Sequence, residues 1–187
     1  MALRVNEIFH SIQGESSYAG EPCVFVRLAG CNLRCAWCDT TRALGHGTER
    51  TVADVVGEVG TLPGRLVCVT GGEPMAQPDT PDLLRALLAT GRAVQLMTNG
   101  SLPLDNVPAG VCKVVDVKVP GSDRAEVPAV VEGDATPFFL ESNLARLART
   151  DEVKFVVRNR AEFDWATRFS LRNGLFDRVG AVSIGPA

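Results

Sequence analysis

The chain has 187 residues, of which 45% are hydrophobic and 22% are charged, and its formal net charge is -3. This composition is typical of one globular domain with a sizeable core, and it excludes disorder, collagen and coiled coil for the chain as a whole. The slightly acidic balance argues against binding to a nucleic-acid backbone, and the apolar runs are too short to span a membrane. The N-terminal residues contain no apolar signal core, so we expect a cytoplasmic location.

Apolar runs rich in Val, Ile and Phe alternate with stretches of helical character. The runs that predict strands are 3–9, 24–28, 66–70, 93–98, 111–117, 153–157 and 179–184. The stretches that predict helices are 52–59, 81–90, 140–148 and 161–173. Continuous apolar strands separated by helices indicate an α/β fold, with a mostly parallel sheet covered by helices. A closed eight-unit barrel needs about 200 residues or more, so an incomplete, partial barrel is predicted.

Polar or glycine-rich clusters follow five of the predicted strands. In chain order they are 10–15, 31–38, 70–74, 98–100 and 116–122. In parallel α/β folds the functional groups collect at the carboxyl ends of the strands. We therefore predict that these five clusters lie on one rim of the sheet and form a site.

The six cysteines divide into two groups of three. Cys23, Cys68 and Cys112 lie in or beside apolar runs, where a cysteine is typically a small buried hydrophobic residue. Cys31, Cys35 and Cys38 have a C-x3-C-x2-C spacing on one short loop. Disulfides are not expected, because no secretion signal is present and cytosolic thiols stay reduced.

Three thiolates this close repel one another unless a cation holds them, and two kinds of metal site fit the spacing. A structural zinc site needs four protein ligands, usually in two separated pairs, and a second pair is missing. A 4Fe-4S cluster held by three thiolates leaves one iron open to an exogenous ligand. We favour the cluster, because metal-centred catalysis requires an open coordination position.

Two longer motifs point to a family. The cysteine loop and residues 69–74, Val-Thr-Gly-Gly-Glu-Pro, resemble the radical S-adenosylmethionine (SAM) superfamily. Segments 8–15, 20–30, 38–40 and 151–157 are similar to the 7-carboxy-7-deazaguanine synthase (QueE) family within it. The resemblance covers nearly the whole chain.

This resemblance implies a single radical SAM core domain over residues 1–187, an incomplete barrel shortened at its C-terminus. It implies a carbon–nitrogen lyase that converts 6-carboxy-5,6,7,8-tetrahydropterin to 7-carboxy-7-deazaguanine with loss of ammonia, in queuosine biosynthesis. The implied cofactors are a 4Fe-4S cluster, SAM and Mg²⁺. The implied partners are the pterin, an external one-electron reductant of the flavodoxin or ferredoxin type and a second copy in a homodimer, without nucleic acid or membrane.

The resemblance also implies the roles of individual residues. Cys31, Cys35 and Cys38 would bind the cluster, and Thr40 would bind Mg²⁺. The residues implied to contact SAM are Trp37, Cys38, Asp39, Gly72, Glu73, Asp116, Val117 and Lys118. Those implied to contact the pterin are Ile12, Gln13, Gly14, Glu15, Arg27 and Thr70. No catalytic side chain is implied beyond the cofactor ligands.

Simpler interpretations stay open for several of these residues. Arg27 fits a surface ion pair, Thr40 fits the cap of a turn, and Lys118 and Lys154 fit solvated lysines. Trp165 and the phenylalanines at positions 138, 139, 163, 169 and 176 are expected in the core. Ser16 and Met97 depart from the family pattern, which usually has glycine and an acidic residue at these positions.

Two other functions remain as alternatives. A glycyl-radical enzyme activase would use the same cysteine loop but would not need Arg27 or the segment Gln13–Glu15. A small iron–sulfur electron-transfer or zinc-binding module would use the cysteines without SAM.

Overall fold

A computed structural model describes residues 2–120 and 138–187, and its strands form one eight-stranded sheet. The strands are β1 (Ala2–Ile12), β2 (Pro22–Leu28), β3 (Thr48–Thr51), β4 (Leu66–Gly71), β5 (Ala93–Thr98), β6 (Val111–Asp116), β7 (Glu152–Val157) and β8 (Ala181–Pro186). The α-helices are α1 (Val52–Thr61), α2 (Thr80–Ala89), α3 (Arg160–Arg172) and α4 (Leu175–Arg178). Of the predicted cluster 116–122, the last two residues lie outside the described residues.

The sheet has the order β3-β1-β2-β4-β5-β6-β7-β8. Strands β2 and β4 to β8 run parallel, whereas β1 is antiparallel to both β2 and β3. Strands β3 and β8 are the two edges and do not pair, so the sheet is open. The predicted α/β fold with a mostly parallel, incomplete barrel is confirmed. Among the described residues, no helix is both long and apolar enough to cross a membrane.

The sequence-based elements differ from the structure in three places. Strand β3, Thr-Glu-Arg-Thr, was not predicted, because an edge strand that is mostly exposed carries no apolar pattern. The helix predicted over 140–148 is a 3-10 segment, Glu141–Arg146. The short helix α4, Leu175–Arg178, was also missed.

The main core lies between the sheet and the helices α1 and α2. Strands β2, β4 and β5 contribute alternate residues to it, such as Val24, Val67 and Val94. Cys23 and Cys68 are fully buried with Phe25 on the opposite face of the sheet. Cys112 is buried as well. The prediction that these three cysteines are buried hydrophobic residues is confirmed.

A second core packs under helix α3, around Phe155, Phe169 and Val179. Phe139 is buried there too, as predicted. Phe163 and Phe176, in contrast, are 42% and 53% exposed, so the prediction that they belong to the core is wrong.

The direction of β1 changes the predicted arrangement of the strand ends. Because β1 is antiparallel to β2, its last residue, Ile12, pairs with Pro22 at the start of β2. The cluster after β1 therefore begins at the opposite rim from the cysteine loop, and the prediction of one common rim is wrong for it. The chain then turns under the sheet, on the face away from helices α1 and α2. There Gln13 Nε2 donates to Gln95 Oε1 at 2.6 Å. Gln95 points away from helices α1 and α2, because its neighbours Val94 and Leu96 face them.

The segment that turns under the sheet contains a residue in the left-handed region. Ser16 has φ +67°, and among the described residues it is the only one other than glycine with a positive φ. Its hydroxyl accepts hydrogen bonds from Gln95 Nε2 at 2.9 Å and from the Tyr18 amide at 3.2 Å. These bonds offset the strain, which explains why serine is compatible with a position where glycine is usual.

We expect Ser16→Ala to be more destabilising than Ser16→Gly. Alanine keeps the left-handed strain and removes the oxygen that accepts from the buried amide of Gln95, at a cost of about 1–3 kcal/mol. Glycine also loses the hydroxyl, but it adopts a positive φ without strain. The destabilisation by Ser16→Gly therefore stays below about 1 kcal/mol. Urea unfolding of the two variants tests the order, and equal midpoints would contradict it.

Candidate active site

A cavity of about 790 Å³ lies on the face of the sheet opposite helices α1 and α2, below the cysteine loop. Most of the predicted site residues line it. They are Gln13, Gly14, Glu15, Arg27, Cys31, Cys35, Trp37, Cys38, Asp39, Thr40, Thr70, Gly72, Asp116 and Lys118. Residues from the ends of β2, β4 and β6 and from the turn under the sheet therefore meet in one place.

Three predicted site residues do not line the cavity. Ile12 is 56% exposed at the end of β1, on the far rim. Val117 is buried in the core under helix α3, because its side chain points away from those of Asp116 and Lys118. Glu73 is fully buried behind the end of β4. None of these three residues lines the cavity, and the ligand contacts implied for them stay predictions.

Glu73 instead holds two strand ends together. Its Oε1 accepts hydrogen bonds from the Met75 amide at 2.9 Å and from Thr98 Oγ1 at 2.8 Å. Its Oε2 accepts one from the Asn99 amide at 2.7 Å. Burial raises the pKa of this carboxyl, against the hydrogen bonds from Asn99, Met75 and Thr98, which lower it. The carboxyl therefore fixes the end of β5 against the end of β4.

The two glycines before Glu73 bring the end of β4 against the base of the cysteine loop. The Glu73 amide donates to Gly30 O at 2.8 Å, and the Gly72 amide donates to Leu28 O at 3.2 Å. A Cβ on Gly72 would lie 2.1 Å from Gly30 O and 2.8 Å from Cys31 Cβ. Only glycine fits at this contact. The glycines therefore allow the end of β4 to approach the base of the cysteine loop closely.

The three loop cysteines are free, half-buried thiols that line the same cavity. Burial raises the pKa of Cys31 to about 11, although a hydrogen bond from the Leu33 amide lowers it. Burial also raises the pKa of Cys35, against the nearby charge of Lys118. A nearby positive charge therefore favours the thiolate forms of Cys31 and Cys35. Within the described ranges, no three His, Cys, Asp or Glu side chains are placed to hold a single metal ion.

A chain of alternating charges crosses the cavity wall. Lys154 Nζ lies 2.7 Å from Glu15 Oε2 and 3.9 Å from Asp116 Oδ2. Lys118 Nζ lies 2.8 Å from the same Asp116 oxygen. Burial alone would lower the pKa of Lys118, but the charge and hydrogen bond of Asp116 outweigh it and raise the pKa.

Lys154 is thus more than the solvated lysine that the sequence allowed. It lines the cavity from β7 and links the turn under the sheet to the end of β6. Lys154 lies opposite Asp116 in the pairing of β6 with β7, and this register is what places it in the site. The sequence alone does not show the pairing.

Arg27 has features of both interpretations that the sequence left open, an ion pair and a ligand contact in the site. Its Nε donates to Glu7 Oε1 at 2.7 Å, and the register places these two residues directly opposite each other on β2 and β1. Arg42 donates to the same oxygen at 2.9 Å. Burial would raise the pKa of Glu7, but hydrogen bonds from Arg42 and Arg27 and their charges lower it. Arg27 is therefore both ion-paired and part of the cavity wall, and Glu7 is its anchor.

Other parts of the wall were not among the predicted site residues. They come from the end of β8, which contributes Ser183, Ile184 and Gly185, and from Met97 on β5. The end of β8 is another parallel strand end, so the rule that identified the other clusters applies to it as well. It was missed because these residues carry no ionisable or metal-binding group.

The chain is similar to known proteins in sequence and in fold. Residues 25–131 match the family model described as the radical SAM superfamily. The chain is 42% identical over 187 residues to the 7-carboxy-7-deazaguanine synthase of Koribacter versatilis, covering 99% of this chain and 78% of the relative. It is 40% identical over 184 residues to the synthase of the same name from Chlorobaculum tepidum, covering 98% and 80%.

Among solved structures, the fold is similar to that of QueE from Escherichia coli. The TM-score is 0.72 with 23% sequence identity, covering 92% of this chain and 78% of that chain. Streptococcus suis SuiB is also similar, with a TM-score of 0.57 and 13% identity, over 84% of this chain and 37% of that one. At these identities the structural likeness concerns the fold alone.

Proposed function

The chain belongs to the 7-carboxy-7-deazaguanine synthase family of radical SAM enzymes, and we propose that the cavity is its active site. The reaction is the conversion of 6-carboxy-5,6,7,8-tetrahydropterin to 7-carboxy-7-deazaguanine with loss of ammonia, in queuosine biosynthesis. One observation carries the assignment of the site. The three cysteines, the end of β4 and the segment Gln13–Glu15 all line one cavity, although they come from opposite rims of the sheet.

The thiols and the wall of the cavity fit a 4Fe-4S cluster with SAM. Cys31, Cys35 and Cys38 would each bind a different iron of the cluster, so the three thiols need not converge on one metal ion. When bound, the cluster and SAM supply a 5′-deoxyadenosyl radical. Trp37 Nε1 and Asp116 Oδ1 are buried on this wall and have no hydrogen-bond partner among the described residues. Buried polar atoms usually have one, and SAM offers both donors and acceptors.

The proposed SAM contacts are the side chains on the cavity wall near the cysteine loop. They are Trp37, Asp39, Asp116 and Lys118, with the backbone of Gly72. Glu73 would contribute indirectly to the SAM site, because its carboxylate accepts the hydrogen bond that fixes Asn99 at the end of β5.

The proposed pterin site lies lower in the cavity. Arg27 would bind the substrate carboxylate, since its Nε is already held by Glu7 while its two Nη atoms make no hydrogen bond to the described residues. Gln13, Gly14 and Glu15 would contact the pterin edge, with Thr70 beside them. Lys154 neutralises Glu15 in the free protein, and a guanidine-like N–H pair of the pterin would compete for the same carboxylate.

For Mg²⁺ we propose Thr40 as the protein ligand. Thr40 Oγ1 lies 2.8 Å from Asp39 Oδ1, so two oxygen atoms of the kind that Mg²⁺ prefers lie together on the wall. Mg²⁺ usually keeps several waters, which together with substrate would complete its shell.

The same family membership supports three further parts of the proposal. The electron would come from an external one-electron reductant of the flavodoxin or ferredoxin type. The chain would form a homodimer and work in the cytoplasm.

Arg27→Lys is expected to weaken binding of the carboxypterin. Lysine keeps the charge but cannot bind Glu7 and a carboxylate at the same time with two fixed N–H groups. Losing one charge-assisted hydrogen bond costs about 1.5–3 kcal/mol, or a roughly ten- to hundredfold higher KM for the pterin. The KM for SAM should not change.

Arg42→Lys is the matched control, because Arg42 also donates to Glu7 but is 62% exposed and does not line the cavity. Steady-state kinetics with each substrate varied in turn measures both variants. Equal effects of the two substitutions on the KM for the pterin would contradict the role of Arg27.

The proposed function is tested by anaerobic reconstitution with iron and sulfide, followed by incubation with SAM, a reductant and the carboxypterin. We expect 5′-deoxyadenosine and 7-carboxy-7-deazaguanine, detected by mass spectrometry. Neither product in a preparation with a full complement of iron would refute the proposal.

A further inference from the structure

One arginine lies against the aromatic side chain of the cysteine loop. Arg158 Cζ is 4.4 Å from the centroid of the Trp37 ring, well within the range of a cation–π contact. Trp37 lies between the second and third cysteines and lines the cavity, whereas Arg158 does not line it. The guanidinium therefore supports the indole from outside the cavity.

Arg158 is itself held by the start of helix α3. Its Nε donates to Glu162 Oε1 at 2.9 Å, and its backbone amide donates to Glu162 Oε2 at 2.7 Å. The Glu162 amide in turn donates to Asn159 Oδ1 at 3.0 Å, which caps the helix. Glu162 is buried. The guanidinium is thus fixed to a helix terminus through a carboxylate that cannot easily move.

The N–H of the indole that Arg158 supports makes no hydrogen bond to the described residues. Trp37 Nε1 is buried and has no acceptor among the described residues. The rest of the ring packs against the core under helix α3. The indole is therefore held on its apolar and cationic sides, while its N–H has no partner in the part of the chain that the structure describes.

We propose that Arg158 is a positioning residue that holds the indole of Trp37 in the orientation in which it contacts the adenosine part of SAM. This inference rests on the proposed function, which assigns Trp37 to SAM. Arg158 does not line the cavity, and its contact with the indole of Trp37 connects it to the cavity wall. We therefore expect a substitution at Arg158 to affect ligands that contact Trp37 and to leave carboxypterin binding unchanged.

The test compares Arg158→Met with Arg160→Met. Arg160 is a matched control, because it lies two residues away, packs over Phe163 at 5.8 Å and pairs with Asp164, all outside the site. Equilibrium dialysis on the reconstituted protein measures the Kd for SAM, for 5′-deoxyadenosine and for the carboxypterin. 5′-Deoxyadenosine has no methionine part to bind iron, so it reports the adenosine contact alone.

We expect Arg158→Met to raise the Kd for SAM and for 5′-deoxyadenosine between about two- and thirtyfold. Arg160→Met leaves both values unchanged, and neither variant changes the Kd for the carboxypterin. Arg158→Lys keeps a cation but loses the planar contact, so it gives a smaller increase. This variant decides the matter if Arg158→Met does not fold.

A second measurement follows the indole directly. The chain has two tryptophans, so Trp165→Phe leaves Trp37 as the only fluorescent indole. In this background, without the cluster, Arg158→Met should make Trp37 more accessible to acrylamide quenching, and Arg160→Met should not. A purely structural role for Arg158 would not move this signal together with the Kd for 5′-deoxyadenosine.

The outcomes separate the two proposals. A wild-type protein that cleaves SAM, with Arg158 variants that bind SAM and 5′-deoxyadenosine as tightly as wild type, overturns the positioning role alone. A wild-type protein that binds no SAM after reconstitution overturns the proposed function, and the positioning role with it.

Discussion

Cys35→Ala is expected to lose the iron–sulfur cluster and essentially all SAM cleavage. The loop offers three thiols on the cavity wall, so removing one leaves too few ligands to hold the cluster. The fold should survive, because Cys35 is only half-buried and lies in a loop rather than in a core cluster. Iron and sulfide content after anaerobic reconstitution, and the yield of 5′-deoxyadenosine, measure the effect.

Cys68→Ala is the control for this experiment. Cys68 is fully buried in the sheet, and burial raises its pKa far above the ordinary value for a thiol. Losing its sulfur atom should cost roughly 1 kcal/mol of stability from the small cavity that remains. Its iron content and its SAM cleavage should match those of the wild type. A Cys35→Ala protein that retains a full cluster and cleaves SAM would refute the assignment of the loop.

The strands and the cysteine loop could be predicted because their signals are local. Mostly apolar runs such as Val24–Leu28 identify buried strands, and the spacing of Cys31, Cys35 and Cys38 is a property of one loop. Pairing directions are not local. The direction of β1 is a property of its pairing with β2 and β3, so its reversal, and the position of Gln13 under β5, became visible only in the fold.

The roles of buried charges were also beyond the sequence. Glu73 stands in a motif that suggests a ligand contact. In the fold its carboxyl accepts hydrogen bonds from Thr98 Oγ1 and from the amide of Asn99, at the end of β5. Lys154 looked like a surface residue, yet it joins Glu15 to Asp116. In both cases the partner is distant in the chain, so only strand register decides which charges meet.

Gly72→Ala should damage the site more than any single loss of a polar contact on its wall. The new Cβ would lie 2.1 Å from Gly30 O and 2.6 Å from Gly30 C, both backbone atoms that cannot rotate away. The end of β4 and the base of the cysteine loop must therefore separate. Overpacking of this kind costs about 1–3 kcal/mol or more in stability.

The functional loss should exceed the loss of stability, because the displaced segment carries Cys31. Its Cβ is 2.8 Å from the position of the new methyl group, so the first cluster ligand moves when the loop moves. Gly57→Ala, in helix α1, is a matched control, since apart from its own helix no atom of the described residues lies within 4 Å of the added Cβ, and alanine favours the helix. Thermal unfolding and iron content are measured for both variants. A Gly72→Ala protein with wild-type stability and a full cluster would show that the contact between β4 and the loop does not position the cysteines.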